Sequence, residues 1–242
     1  MKNKQTLRIT TIFAAIVFAH SCATKPNILP KNDYGLTEIR SIKTYRSTTV
    51  LDSNQKMVNI THLNPHIILD LHYASINNFM RQEMYPAKTD FSFLRLPVAK
   101  ALDQVQENLE QKGLGLKIFD AYRPYAVTKK FWELVHDDRY VANPAKGSGH
   151  NRGITVDLTI IDLKTKQELD MGTGFDNFTD SAHQSFTALS ETILANRTLL
   201  KETMIRFGFK PLETEWWHYS WPNPERFEIL NLSFEKLKKA TQ

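Results

Sequence analysis

One cysteine, Cys22, stands in the 242 residues of this chain. No disulfide can form within it, which excludes a disulfide-stapled scaffold and a zinc site built from several thiolates. Long apolar runs are missing too: the longest, Ile12 to Ala19, is too short to cross a bilayer as a helix. Charge of one sign is scarce. The formal net charge is only +5, and Lys2, Lys4 and Arg8 supply part of it before residue 22, where no acidic residue occurs. The rest of the chain is nearly balanced, and basic and aromatic residues do not interleave. Nothing here argues for a nucleic-acid binder, which is the weakest of the readings, and no nucleic-acid partner is expected. With 41% hydrophobic and 24% charged residues, the composition is that of a globular chain, neither disordered nor fibrous. No internal repeat or low-complexity block interrupts it.

The N-terminus reads as an address. Met1 to Arg8 is basic, Ile9 to Ala19 is mostly apolar, and Ala19-His20-Ser21-Cys22 follows. A charged start, a short apolar stretch and small residues make a secretory signal peptide over residues 1–21. The cysteine placed next resembles the lipobox of bacterial lipoproteins, whose cysteine is lipidated after cleavage. The expectation is an exported bacterial protein, periplasmic or at the outer surface, held to the membrane through a lipidated Cys22. Residues 22–58 are polar and mixed and read as a lipid-anchored tether. That leaves 59–242 as the folded domain.

In the body, apolar patterning predicts strands over Ile67–Tyr73, Lys117–Tyr122 and Ile154–Ile161. A helix is predicted from Pro97, which suits a first helical position, with Val98, Leu102, Val105 and Leu109 on one face and Gly113 as the stop. Val127, Phe131, Leu134 and Val135 mark a second helix. Phe186, Leu189, Ile193 and Leu200 mark a third, stopped at Gly208. The order is mixed rather than a regular alternation, which predicts an α+β fold with a central, mainly antiparallel sheet and flanking helices.

Three segments carry chemistry. In Ser148-Gly149-His150-Asn151-Arg152-Gly153-Ile154-Thr155-Val156-Asp157, strand alternation puts Asp157 opposite the apolar face of Ile154, Val156, Leu158 and Ile160. A turn at Gly153 can fold His150 back beside it. In Glu215-Trp216-Trp217-His218, a second imidazole stands three residues from a second carboxylate. A catalytic zinc site needs three protein ligands and an open position, plus a base that is not a ligand. His150, Asp157 and His218 supply the ligands, and Glu215 is left as the base. In Asp120-Ala121-Tyr122-Arg123-Pro124, a guanidinium fixed at a strand end can stabilise an oxyanion. A lone histidine is more often structural, and Trp-Trp is more often core; the weight lies in the combination. His62, His66, His72 and His136 have no partner pattern and read as surface or structural, while His183 is a candidate pocket residue beside Asp176.

Ser-x-His-x6-Asp, Glu-x-x-His and Asp-Ala-Tyr-Arg-Pro, with Asp170-Met171-Gly172-Thr173-Gly174-Phe175-Asp176 and Trp216-Trp217-His218-Tyr219, resemble the D-alanyl-D-alanine dipeptidases of the vancomycin-resistance type. Wider relatives are D-Ala-D-Ala carboxypeptidases and L-Ala-D-Glu endopeptidases. The resemblance implies the zinc D-Ala-D-Ala peptidase (Hedgehog-like) fold. It implies one Zn2+ per chain on His150, Asp157 and His218, with Glu215 as general base and Arg123 stabilising the tetrahedral intermediate. Tyr73, Ser148 and Asp176 would hold a dipeptide such as D-Ala-D-Ala, Asp176 taking its ammonium. No protein partner is inferable. Two departures stand out: Met80-Arg81-Gln82 follows Asn78-Phe79 where the family usually has a glycine, and the export signal sets the chain apart from cytoplasmic resistance enzymes. Rival expectations are a carboxypeptidase or endopeptidase of the same fold, or a non-catalytic wall-binding lipoprotein.

Overall fold

A computed structural model describes residue 29 and residues 31–241. The expected signal peptide and Cys22 lie outside the described residues.

The core element is β6 (Thr155–Asp162), whose residues are buried from Thr155 to Ile161. Ile154, Val156, Leu158 and Ile160 feed a core that includes Val98, Leu102, Val105 and Leu109 of α2 (Leu96–Glu110). Pro97 sits in the first turn of that helix, where its missing N–H leaves no bond unmade. The opposite face of β6 carries Thr155, Asp157 and Thr159, and it too is covered. A central strand closed on both faces is a rigid mount for polar side chains.

Around β6 runs a five-stranded sheet in the order β3 (Ile68–Leu69), β5 (Leu114–Asp120), β6, β8 (Glu215–Ser220), β7 (Lys210–Leu212). Only the β3–β5 pair is parallel, so the sheet is mainly antiparallel, as the sequence predicts. The stretch Ile67–Tyr73 gives less strand than expected: only Ile68 and Leu69 pair, and His72–Ala74 turns as a 3-10 helix. The predicted third helix begins later than expected. Ser190 caps α5 (Glu191–Arg206) by accepting from the Ile193 amide, which leaves Phe186 and Leu189 outside it.

The tether boundary at residue 58 is corrected. β1 (Glu38–Ile39) pairs in parallel with β9 (Ile229–Leu230), α1 (Ile42–Leu51) buries Tyr45, and β2 (Met57–Asn59) pairs with β4 (Phe93–Arg95). Ile39, Tyr45 and Met57 join a second core with Tyr73, Tyr85, Tyr122, Phe131 and Phe234, the last from α6 (Phe234–Thr241). Residues 38–58 are therefore integral to the fold. Arg95, fully buried, ties its pieces together by donating to the carbonyls of Gln55, Arg152 and Glu228.

Candidate active site

Register places the first residues of the site. Antiparallel pairing sets Asp157 of β6 directly opposite His218 of β8. On the other side, Ile118 of β5 pairs with Leu158, and an uninterrupted ladder would put Phe119 opposite Asp157. A bulge between Ile118 and Asp120 brings Asp120 there instead. Bulges re-aim side chains in this way. Asp120, Asp157 and His218 thus stand in one row across three strands.

His150 is added by a single helical turn, α4 (Gly149–Arg152), which leads into β6. Ser148 caps it, accepting from the His150 amide, while the Asn151 side chain accepts from the Ser148 amide. The turn needs two glycines. Gly149 lies so close to Thr155 that a Cβ would collide with its Oγ1, and Gly153 ends the turn at φ 70 with Met57 packed against it. Gly153→Ala is expected to cost about 1–2 kcal/mol for the left-handed backbone alone, and more because Met57 must move. Chemical denaturation checks this: a midpoint within error of wild type would mean that the turn tolerates a side chain.

The arginine motif is laced onto the same turn. The Arg123 amide donates to the His150 carbonyl at 3.1 Å, and the Asn151 side-chain amide donates to the Arg123 carbonyl at 2.9 Å. His150 Nδ1 donates to the Ala121 carbonyl at 2.8 Å, which turns Nε2 toward Asp157 Oδ2 at 3.3 Å. His218 presents Nδ1 to Asp157 Oδ1 at 2.9 Å, while its Nε2 lies 3.4 Å from Ser220 Oγ, itself bonded to Thr155 Oγ1. Outer contacts of this kind fix which ring nitrogen a histidine offers. Glu215, at the start of β8, brings Oε2 to 3.3 Å from His218 Nδ1.

Arg123 is buried, with Nε and Nη2 both donating to Asp120 Oδ2, at 3.0 and 2.6 Å. Its guanidinium lies over the rings of Phe131 and Tyr73. Nη1 makes no hydrogen bond among the described residues, and the side chain lines a cavity of about 600 Å³. Tyr73, Ser148, His150, Asp157, Asp176, Glu215 and His218 line the same cavity, and so does His183. Tyr73 donates its hydroxyl to both Asp176 oxygens, at 3.2 and 3.1 Å. Every predicted site residue therefore faces one space. Ser148 has a second duty as the cap of the His150 turn.

Asp120 was not singled out by the sequence reading. It is fully buried, accepts from the Tyr85 hydroxyl at 2.6 Å and from the Ala121 amide, and locks Arg123. It sits within the arginine motif itself, but its role depends on a bulge that no local pattern announces.

Carboxylates outnumber cations here. Burial, reinforced by the charges of Asp120 and Glu215, pushes Asp157 up to about 6, although His218 opposes it. Burial also pushes Asp176 well up, with Asp157 adding to the effect. His150 is pushed well down, first by burial and then by Arg123. For His218 burial works downward, but Asp157 and Glu215 win and raise it to about 10. The site is short of positive charge. Asp157 Oδ1 is buried with no hydrogen bond, although His218 Nδ1 lies close. The two atoms face each other without the alignment of a hydrogen bond, an arrangement that a cation between them would satisfy. One ligand atom each from His150, Asp157 and His218 lie within 4.8 Å of one another. Two imidazoles and one carboxylate form a donor set that suits a catalytic zinc.

A model of the D-ala-D-ala dipeptidase family, Peptidase_M15, matches residues 53–237. The chain belongs to this family. It is a zinc metallopeptidase, and the donor set of His150, Asp157 and His218 fits that metal. Among curated relatives, the D-alanyl-D-alanine dipeptidase of Escherichia coli K12 is 29% identical over 180 residues, covering 74% of this chain and 92% of the relative. The enzyme of the same name from Streptomyces coelicolor is 30% identical over 179 residues, covering 65% and 89%. Among solved structures, the vancomycin-resistance D,D-pentapeptidase VanY in complex with Zn(II) aligns with a TM-score of 0.36 at 16% identity, over 57% of this chain and 77% of that one. The family match starts at residue 53, inside the segment that the sequence alone predicts as a tether.

Proposed function

We propose that this metallopeptidase hydrolyses free D,D-dipeptides, with D-Ala-D-Ala as the reference substrate, and that it works as an exported enzyme in the turnover of wall-derived peptides. The observation that carries the reading is Asp176. This carboxylate is turned into the cavity beside Tyr73 and has no ion pair among the described residues. A dipeptidase must read a free ammonium close to the scissile bond, and a carboxylate without a cation is what that ammonium needs.

Each residue then has a role that its position supports. His150, Asp157 and His218 would hold the zinc, which when bound would supply Lewis acidity to polarise a carbonyl and ease the deprotonation of water. Glu215, beside the ligands, accepts the proton of the attacking water and returns it to the leaving amine as the peptide bond breaks. Arg123, immobilised by Asp120, offers Nη1 to the carbonyl oxygen as negative charge grows there. A donor held in place before reaction costs no reorganisation at the moment of attack. Tyr73 orients Asp176, and Ser148 borders the dipeptide where the His150 turn begins. Export follows from the basic, apolar and small-residue leader, and lipidation from Cys22 placed directly after it.

Asp176→Ala tests the reading. Losing one charge-assisted pair is expected to raise KM for D-Ala-D-Ala about 10–100-fold. The effect on kcat should be small, because the ammonium is charged both before and during attack. The variant should also stop discriminating against N-acetyl-D-Ala-D-Ala. If it rejects the acetylated compound as strongly as wild type does, the amine is read elsewhere. The cavity volume of about 600 Å³ favours a second reading. It leaves room beyond two alanines, as a carboxypeptidase or endopeptidase for longer wall peptides would require. Wild-type turnover of the N-acetylated peptide at the rate of the free one would select that reading.

A further inference from the structure

Between β6 and α5, a long loop forms one wall of the cavity and carries Asp176, Phe178, Asp180 and His183 into it. Such a loop, with little regular structure, needs anchors if a side chain at its middle is to hold a fixed position. Asp176 itself takes φ 59, a left-handed backbone that is uncommon outside glycine although aspartate tolerates it better than most residues. The anchors at the two ends of the loop come from α5. Arg197, 6% exposed, donates from Nε to the Met171 carbonyl at 2.7 Å, from Nη2 to the Ser181 carbonyl at 2.8 Å and from Nη1 to the His183 carbonyl at 3.2 Å. One guanidinium therefore clips the incoming limb of the loop to its outgoing limb, with Asp176 between them.

Two features mark this clip as purposeful. Arg197 has no acidic partner within ion-pair distance among the described residues, and its charge meets only carbonyl dipoles and the face of Trp216, 6.0 Å away. A buried charge without a counter-ion is costly, and an apolar side chain of similar size would do as well for packing alone. The neighbouring contacts serve the same loop. Asn196 donates to the Asp170 carbonyl, and Trp216 Nε1 donates to Thr173 Oγ1, each within 2.9 Å. Trp216 also stands in β8 between Glu215 and His218.

We infer that Arg197 is a positioning residue for substrate amine recognition: it staples the base of the loop so that Asp176 stays aimed into the cavity. The inference rests on the reading of Asp176 given above. Arg197 touches neither the substrate nor the reacting atoms.

The test compares zinc-replete Arg197→Met and Arg197→Lys with Asp176→Ala on D-Ala-D-Ala and its N-acetyl form. Arg197→Met is expected to raise KM about tenfold or more, since small misplacements of a binding group are costly. Its kcat should stay within about threefold of wild type, with unchanged zinc content and eroded discrimination against the acetylated dipeptide. Arg197→Lys keeps the charge but lacks the fork of donors, so it should fall between. It also serves as the readout should the methionine variant fail to fold. If Asp176→Ala erases discrimination while a folded Arg197 variant keeps both KM and discrimination, the inference is wrong and the proposed function stands. If kcat and folded fraction fall together with no change in discrimination, Arg197 is only structural, and the inference is equally wrong. If Asp176→Ala itself leaves discrimination intact, the ammonium reading falls first.

Discussion

Glu215→Gln is expected to keep its zinc and to lose about 10²–10⁴-fold in kcat, the range for removing a general base. Glutamine preserves size and can still hydrogen-bond beside His218, where Glu215 Oε2 now lies 3.3 Å from Nδ1. It cannot accept the proton of the attacking water. The loss should appear in kcat and in kcat/KM alike, because the proton moves only in the transition state. Metal analysis and steady-state kinetics on the same preparation check this. A metal-replete Glu215→Gln enzyme turning over near the wild-type rate would remove Glu215 from the mechanism.

His218→Ala is expected to lose zinc and activity together. The side chain is one of three converging donors, and its position is set by strand register opposite Asp157 rather than by a mobile loop. Removing it leaves one imidazole and one carboxylate, fewer ligands than a catalytic zinc needs. The fold should survive, because His218 is only half-buried and the β8 backbone pairing does not depend on its ring. Metal analysis paired with circular dichroism separates the outcomes. A folded variant retaining full zinc would mean that this ligand set is wrong.

Much of this was legible in the sequence, and the reasons differ by element. β6 and α2 were readable because each has strong periodicity over eight residues or more and local signals at its start. The approach of His150 to Asp157 was readable because a glycine-closed turn beside a strand constrains geometry locally. The approach of Glu215 to His218 was not: three apart in a regular strand they would face opposite sides, and a register shift between β7 and β8 falls across this stretch. The segment from Glu38 to Asn59 was not readable either. β1 is two residues long and pairs with a strand some 190 positions away, a contact without local periodicity. α1, Ile42-Lys43-Thr44-Tyr45-Arg46-Ser47-Thr48-Thr49-Val50-Leu51, is rich in residues of weak helix propensity and buries little besides Tyr45. Tertiary packing overrides propensity there. Asp120 and Arg197 escaped for a related reason: one owes its role to a bulge, the other to a loop brought to it by the fold.

The departure at Met80-Arg81-Gln82 also finds a physical expression. Arg81 takes φ 54, the left-handed conformation that glycine adopts without steric cost. The backbone thus keeps the turn that a glycine would favour, and Asn78 holds it through its side-chain amide, which donates to the carbonyls of Ser75 and Gln82.

Release of D-alanine from D-Ala-D-Ala, followed while zinc is returned to chelator-treated enzyme, tests the central claim most directly. The rate should be absent without metal, should rise with added zinc, and should level off when the cluster of His150, Asp157 and His218 is filled. Undiminished hydrolysis by the metal-free protein, or a zinc-saturated protein that releases no D-alanine, would contradict it.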